Sequence, residues 1–238
     1  MPSTRDAALA RIARNIREHG FHQYTVGGGD YPRFAYTIGM RERVGAELVM
    51  AGCLAYSADE THAILTTIHA QLERRADLEG VVTVGTHGAF RFLQALPSWT
   101  SPLLLGALDD YDVTEIEAYQ VVPDDDHWTI DTPDMSRPWT AATEPIWTAL
   151  HAAWPHTFPS SWEVMTNLEA LRGAPVLEAS RWEEAYWEVF AAGERSFENA
   201  RAVPLGWLIS HDPSLAPLTT FAIDESRRRT ARHAPWTR

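Results

Sequence analysis

Five polar residues in the first quarter of the chain are the best candidates for chemistry. They are His19, His22, Tyr36, Thr37 and Glu47. If the segments that carry them are neighbours, the five could form a pocket with a general base, a hydroxyl donor and a carboxylate. In the alternative interpretation, His19 ends a helix and the tyrosine and threonine are ordinary strand residues. The structural interpretation is favoured, because the sequence shows no partner that would orient a catalytic histidine.

The elements that must position these residues follow from the hydrophobic pattern. Apolar residues at helical spacing predict a helix over 5–18 that ends at Gly20. Apolar patterning and flanking turn residues predict strands at 21–26, 33–40, 47–54, 80–85, 89–95 and 116–122. The third of these strands is almost continuously apolar, so we expect it in the middle of a sheet. Ser57 and Glu60 have the spacing of a capping box and predict a long helix to about Arg75.

This order of elements favours an α+β fold with a mixed, mainly antiparallel sheet and one long helix. We expect the first domain at 1–140, a helix and linker at 141–162, and a smaller α+β domain at 163–238. The predicted linker helix places four apolar residues on one face, namely Ile146, Trp147, Leu150 and Trp154. All five candidate residues fall in the first domain.

Composition limits the classes of partner. The formal net charge of −12 argues against nonspecific binding to nucleic acid or to an anionic membrane, and it would favour a basic protein partner. No apolar run is long enough for a membrane helix, and the start of the chain lacks the core of a signal peptide. Cys53 is the single cysteine, which excludes an intrachain disulfide. We therefore expect a cytoplasmic protein.

Metal and cofactor motifs are weak in this sequence. His62 and His69 lie seven residues apart on the long predicted helix, with Glu73 one turn further on, so the three could share a face. Zinc-binding helices normally place their histidines four residues apart. The glycines at 27–29 lack the lysine of a phosphate-binding loop and are typical of a hairpin turn. We expect neither a metal nor a cofactor.

A motif around the first three strands resembles that of a known family. Residues 34–40 read F-A-Y-T-I-G-M, an E-L pair follows at 47–48, and E-H-G-F precedes at 18–21. They resemble the signature E-H-G-W, F-A-Y-T-x-G-L and H-P-E-L of a bacterial domain-of-unknown-function family, with coverage of about residues 5–139. Gly45 and Ala46 stand where that family has histidine and proline. A catalytic role of that histidine in the family would imply that this chain is impaired.

A second resemblance concerns the C-terminal part. Residues 186–194 read Y-W-E-V-F-A-A-G-E, and residues 212–218 read D-P-S-L-A-P-L. These runs are similar to W-x-F-F-x-G-x-E and D-P-x-L-x-P-L of a bacterial family that includes immunity proteins against polymorphic toxins. The similar region covers about residues 163–229. The resemblance implies a protein partner, such as a toxin domain.

Two hypotheses of function result. The first is a noncatalytic protein-binding module, of the immunity or toxin-antagonist type, with a basic partner. Its candidate contact residues are Asp124, Asp125, Asp126, Trp187 and Trp207. The alternative is a small-molecule-binding protein or an enzyme, whose pocket would be formed by the five polar residues described first. The absence of a catalytic motif favours the noncatalytic hypothesis.

Overall fold

A computed structural model describes residues 4–75, 78–193, 196 and 198–238, and the chain divides into two compact units. Unit 1 comprises Met1–Gly28, Arg33–Trp128 and Thr132–Trp139. Unit 2 comprises Gly29–Pro32, Thr129–Asp131 and Thr140–Arg238. Glu194, the last residue of the C-terminal motif, lies outside the described residues.

Unit 1 combines helices with a mixed sheet. Its helices are α1 (Thr4–His19), α2 (Arg41–Val44), α3 (Ala58–Arg75), α4 (Pro97–Leu103) and α5 (Leu105–Tyr111). Its strands are β1 (His22–Val26), β2 (Phe34–Ile38), β3 (Glu47–Ala51), β4 (Val81–Thr83), β5 (Ala89–Gln94) and β6 (Ala118–Pro123). Gly85–His87 forms a short 3-10 turn.

The sheet of unit 1 has the strand order β1-β2-β3-β6-β5-β4 among the described residues. Only β3 and β6 pair in parallel, while the other neighbours are antiparallel. The first three strands are therefore neighbours and β3 is internal, as the sequence predicts. One face of the sheet packs against α3, whose Ile64, Leu65, Ile68 and Leu72 are buried in one core with Leu48 and Met50.

Local sequence signals explain how these elements begin and end. Gly20 has a φ of +85° and donates from its N–H to the Ile16 carbonyl, which confirms the predicted end of α1. Ser57 and Glu60 exchange reciprocal hydrogen bonds before α3, which confirms the capping box. β3 ends at Ala51, earlier than predicted, because the two residues that follow have positive φ. A strand cannot continue through that backbone conformation.

Unit 2 is a second α+β unit. Its helices are α6 (Thr148–His151), α7 (Leu168–Leu171) and α8 (Leu205–His211), with 3-10 turns at Pro145–Trp147 and Pro213–Thr220. Its strands are β7 (Glu163–Asn167), β8 (Val176–Glu183), β9 (Tyr186–Ala191), β10 (Ala200–Pro204) and β11 (Glu225–Arg228). Among the described residues they form a sheet of order β10-β7-β9-β8-β11, in which only β7 and β9 are parallel. The predicted α+β class is confirmed in both units.

The predicted linker helix is shorter than its hydrophobic pattern indicates. It consists of the 3-10 turn at Pro145–Trp147 and of α6, which ends at His151. Trp154 lies beyond that end and donates from its indole nitrogen to the Phe158 carbonyl. The following residue is Pro155, which disfavours helical backbone at Trp154. The prediction that this tryptophan belongs to the helix is therefore wrong.

In the part of the chain that the structure describes, no helix combines the length and the apolar character needed to cross a membrane.

Candidate functional site

The carboxylate of Glu47 is fully buried in unit 1 and accepts five hydrogen bonds. Its Oε2 accepts from the Thr37 hydroxyl at 2.6 Å and from the Met40 N–H at 3.3 Å. Its Oε1 accepts from the N–H groups of Gly39 and Arg41, both at 3.0 Å. The Tyr111 hydroxyl donates to the same oxygen at 2.6 Å. These bonds supply the stabilisation that a buried charge requires.

The turn between β2 and α2 forms this carboxylate site from backbone groups. Successive N–H groups at 39–41 donate to the two oxygens of one carboxylate, as in the anion-binding nests of other proteins. The turn depends on Gly39, whose φ is +109° and whose position for a Cβ lies only 3.1 Å from the Ile16 side chain. Thr37 links the site to β3, because its hydroxyl also accepts from the Leu48 N–H at 2.8 Å. The F-A-Y-T-I-G motif is therefore a structural site for an internal carboxylate.

Two tyrosines beside this network are held in their neutral form. Burial is the main reason that the pKa of Tyr36 rises to about 12. The Tyr36 hydroxyl accepts a hydrogen bond from the Gly106 N–H of α5 at 3.0 Å. The pKa of Tyr111 is raised far above its usual range, first by burial and then by the adjacent Glu47 charge.

We predict that unit 1 loses stability steeply above pH 10. In that range the unfolded chain releases the protons of Tyr36 and Tyr111 while the folded unit keeps them, so unfolding becomes more favourable as the pH rises. The expected slope is at most about 1.4 kcal/mol per pH unit for each tyrosine. Denaturant unfolding between pH 9 and about pH 12 measures it. A variant with Tyr36→Phe and Tyr111→Phe should show a shallower slope, and an unchanged slope would contradict the assignment.

A cleft of about 590 Å³ lies elsewhere in unit 1, at the start of β1. It is lined by residues of α1, β1 and α3, namely Asn15, His19, Phe21, His22, Gln23, His62, Thr66, His69, Ala70 and Glu73. We call it the histidine cleft. It brings His62, His69 and Glu73 together on one face of α3, as their spacing predicts.

Three side chains in the histidine cleft have buried polar atoms without a hydrogen-bond partner among the described residues. These atoms are Nε2 of His22, Nε2 of His69, and both Nε2 and Oε1 of Gln23. The two histidines are only 6% and 5% exposed. A buried polar group without a partner costs about 1–3 kcal/mol, so several in one cleft call for a functional explanation.

A hydrogen bond from Asn15 determines which ring nitrogen of His22 carries the proton. The Asn15 amide nitrogen lies 2.9 Å from His22 Nδ1. An amide nitrogen can only donate, so Nδ1 accepts and the proton of the neutral ring is on Nε2. Burial lowers the pKa of His22, and the nearby positive charge of Arg11 lowers it further. His22 is therefore neutral, and its Nε2–H is available as a hydrogen-bond donor.

His69 has a similar environment on the α3 side of the cleft. Its ring stacks on Phe21 with 4.4 Å between centroids, and its Nε2 is 3.8 Å from the Glu73 carboxylate. Burial lowers the pKa of His69, and the positive charge of Arg43 adds to the effect. Glu73 forms an ion pair with Arg43. Both buried imidazoles are thus neutral at physiological pH, and the one carboxylate of the lining is paired.

No group of three or more His, Cys, Asp or Glu side chains among the described residues is arranged to hold a metal ion. The polar groups of the histidine cleft are instead an imidazole donor, an amide and a second imidazole beside an aromatic ring. Such a lining suits the recognition of an organic molecule by hydrogen bonds and ring contact.

The five residues that the sequence proposes as a pocket do not meet in one place. His19 and His22 line the histidine cleft. Thr37 and Glu47 form the buried carboxylate network, and Tyr36 bonds to α5. The two histidines and the other three residues therefore have separate roles.

The proposed partner-binding residues have different degrees of exposure. Asp125 and Asp126 are exposed, whereas Asp124 accepts hydrogen bonds from the Ala89 N–H at 2.7 Å and pairs with His127. Two further candidates, Trp187 and Trp207, are buried in unit 2. Protein binding and an immunity role stay predictions.

Sequence reasoning missed Asn15, Gln23 and Tyr111. His22 and Gln23 are adjacent in β1, and the alternation of strand side chains places them on opposite faces. Both reach the cleft because it lies at the start of β1, an edge strand of the described sheet. The helical spacing of His62, His69 and Glu73 is the sequence signal that could have indicated this cleft.

Comparison with protein families supports the resemblance of the N-terminal part to a domain of unknown function. Residues 15–129 match the model of a domain of unknown function (DUF4262), and this range contains both the Glu47 network and the histidine cleft. No curated protein and no solved structure matches the chain. The resemblance of the C-terminal part to immunity proteins stays a prediction.

Proposed function

We propose that unit 1 binds a small, uncharged polar molecule in the histidine cleft. The observation that carries this proposal is the set of unpartnered buried atoms on His22, Gln23 and His69. A ligand that bonds to these groups supplies hydrogen bonds that they do not find within the described protein. A cleft of about 590 Å³ is within the range of small-molecule sites.

The charges of the lining favour a neutral ligand. Glu73 is paired with Arg43, and burial keeps His22 and His69 uncharged. An ionic ligand would lose its hydration without finding an opposite charge in the lining. A neutral ligand avoids that cost.

The hydrogen-bonding groups further define the ligand. His22 offers a donor, and the Gln23 side chain offers a donor and an acceptor side by side. An amide or a nitrogen heterocycle has the complementary edge, since such groups also carry a donor next to an acceptor. Phe21 and His69 supply ring surface beside these groups. We therefore infer a planar amide or heterocycle.

The test is binding of neutral probes to the full chain, followed by NMR of labelled histidine side chains. We expect benzamide, uracil or adenine to shift the His22 and His69 signals, and benzoate to leave them unchanged. Gln23→Leu should weaken probe binding by about tenfold, because the donor and acceptor are both lost. Gln94→Leu on the exposed side of β5 is the matched control.

The same variant separates binding from a structural role. If the Gln23 amide serves a ligand, Gln23→Leu removes an unsatisfied polar group and raises the stability of unit 1 by about 1 kcal/mol. If the amide serves the fold, the variant lowers stability. The proposal fails if no neutral probe shifts the histidine signals, or if Gln23→Leu binds the probes as tightly as the original chain.

A further inference from the structure

We propose a second binding site, in unit 2, that takes a small organic anion with a carboxylate or phosphate group. A cleft of about 360 Å³ lies beside the C-terminal segment. Its lining is Ser214, Pro217, Arg227, Arg229, Arg232, His233, Ala234, Pro235 and Trp236. We call it the arginine cleft. Three of these residues carry a guanidinium group and none carries a carboxylate, although the chain as a whole has a net charge of −12.

The buried indole Nε1 of Trp236, in the arginine cleft, has no hydrogen-bond partner among the described residues. The buried Nη2 of Arg229 makes a long ion-pair contact, 3.5 Å from the Asp212 carboxylate. An indole N–H can only donate, and so can a guanidinium. The missing groups are therefore acceptors, and a ligand oxygen is the simplest way to supply them.

The positive charge of the arginine cleft is not fully balanced. Arg227 is paired with Glu225, which accepts two of its hydrogen bonds. Arg229 and Arg232 share one carboxylate, Asp212, at 3.5 Å from each. Among the described residues, one positive charge of the cleft is therefore left without a carboxylate partner, and a ligand oxyanion would balance it.

The side chains are already held in place for such a ligand. The Arg229 Nε donates to the Val176 carbonyl at 2.6 Å, and its Nη1 donates to the Ser214 hydroxyl at 2.8 Å. The guanidinium also stacks 4.7 Å from the Trp236 ring. Arg232 donates from Nη2 to the Gly173 carbonyl at 2.6 Å. Little side-chain freedom remains to be lost on binding, which favours affinity.

The apolar residues of the lining indicate that the ligand is an organic anion and not a small inorganic ion. Trp236 and the prolines at 217 and 235 give the cleft an apolar part beside the guanidinium groups. The cleft volume of about 360 Å³ is also large for a single phosphate group. An anionic group on a small apolar body uses both parts of the lining.

Titration of the full chain with phenyl phosphate, benzoate and benzamide tests this inference. We expect the Trp236 indole N–H signal in the NMR spectrum to shift with phenyl phosphate or with benzoate, and the stronger of the two identifies phosphate or carboxylate as the preferred group. Benzamide has nearly the shape of benzoate but no charge, so it should not shift the signal. Added salt should weaken the binding.

The second part of the test compares anion binding among variants of the chain. Arg232→Gln should weaken binding by about tenfold or more, because a charged hydrogen bond is lost. Trp236→Phe keeps an aromatic ring but removes the N–H, so it covers the case in which Arg232→Gln does not fold. Because this variant lacks the indole signal, calorimetry measures its binding. Arg228→Gln is the control, since that side chain is exposed and does not line the cleft. The proposal is overturned if neither anion shifts the Trp236 signal, if benzamide shifts that signal as strongly as the anions do, or if the Arg232→Gln and Trp236→Phe variants bind the anions like the control.

Discussion

Glu47→Gln is expected to destabilise unit 1 by about 3–5 kcal/mol. The amide keeps one acceptor oxygen, which can remain with Gly39, Arg41 and Tyr111. Its NH₂ group then faces the Met40 N–H, which loses its acceptor in a fully buried site. The variant also replaces charge-assisted hydrogen bonds by weaker neutral ones. Both effects act on the turn that joins β2 to β3.

Hydrogen exchange of the full chain in denaturant, followed by mass spectrometry, measures this loss separately for each unit. We expect peptides that cover β2 and β3 to exchange at lower denaturant, while peptides of β8 and β9 remain unchanged. Glu42→Gln is the matched control, because Glu42 lies five residues earlier and is exposed. Equal stability of the two variants would refute a structural role for the buried carboxylate.

A milder change in the same network tests how much a single side-chain hydroxyl contributes to stability. Tyr111→Phe removes a hydroxyl that donates to Glu47 at 2.6 Å and accepts from the Gly39 N–H at 2.7 Å. The backbone donors of the turn keep their bonds to Glu47. Its expected cost is about 1–3 kcal/mol, which is below that of Glu47→Gln.

Most helices and strands of unit 1 can be predicted from the sequence, because the residues that determine their ends are close by in the chain. Gly20, the capping box at Ser57 and the glycine-rich hairpin each determine a chain direction within a few residues. The long apolar strand is internal for the same kind of reason, since its residues need cover on both faces. These features require no knowledge of distant contacts.

The role of Glu47 could not be inferred in this way. Three of its five hydrogen-bond donors are backbone N–H groups, which every residue except proline carries. Another donor, Tyr111, is 64 residues away in the chain. Neither kind of partner leaves a pattern in side-chain type or spacing. The motif was recognisable as unusual, but its purpose is visible only in three dimensions.

The histidine cleft, too, can be predicted from the sequence only in part. The spacing of His62, His69 and Glu73 on α3 predicts a shared face, and the structure confirms it. The contribution of Asn15 and Gln23 depends on how α1 and β1 meet α3, which is a tertiary arrangement. The sequence therefore indicated His19, His22 and the face of α3 separately, and it missed Asn15, Gln23 and the cleft that these residues share.

Asp212→Asn is the second change with a large expected effect, in unit 2. The Arg229 side chain is almost completely buried, and Asp212 is its carboxylate partner. Asparagine retains an oxygen that can accept from the Ser214 N–H and hydroxyl, so the start of the 3-10 turn keeps its cap. Its NH₂ group would face Arg229 and Arg232 with the wrong polarity. We expect a loss of about 3–5 kcal/mol, because a buried guanidinium remains without its counter-charge.

Three segments of unit 2 depend on this guanidinium, which explains why the loss should spread. Arg229 donates to Val176 at the start of β8, to Ser214 in the 3-10 turn, and to the Arg232 carbonyl of the C-terminal segment. Hydrogen exchange should therefore increase in all three segments together, with unit 1 unaffected. Asp224→Asn is the control, since Asp224 is exposed and asparagine tolerates its positive φ. Unchanged exchange in β8 would show that the ion pair does not hold unit 2 together.

A linked measurement connects this ion pair to the arginine cleft. Asp212→Asn leaves two guanidinium groups that share no carboxylate, so the variant should bind phenyl phosphate more tightly than the original chain. Binding to the folded state then raises stability with ligand concentration, and the variant should regain more of its stability than the original chain gains. Removing the buried charge as well, by combining Asp212→Asn with Arg229→Met, should abolish that recovery. A recovery that persists without Arg229 would place the anion elsewhere in the unit.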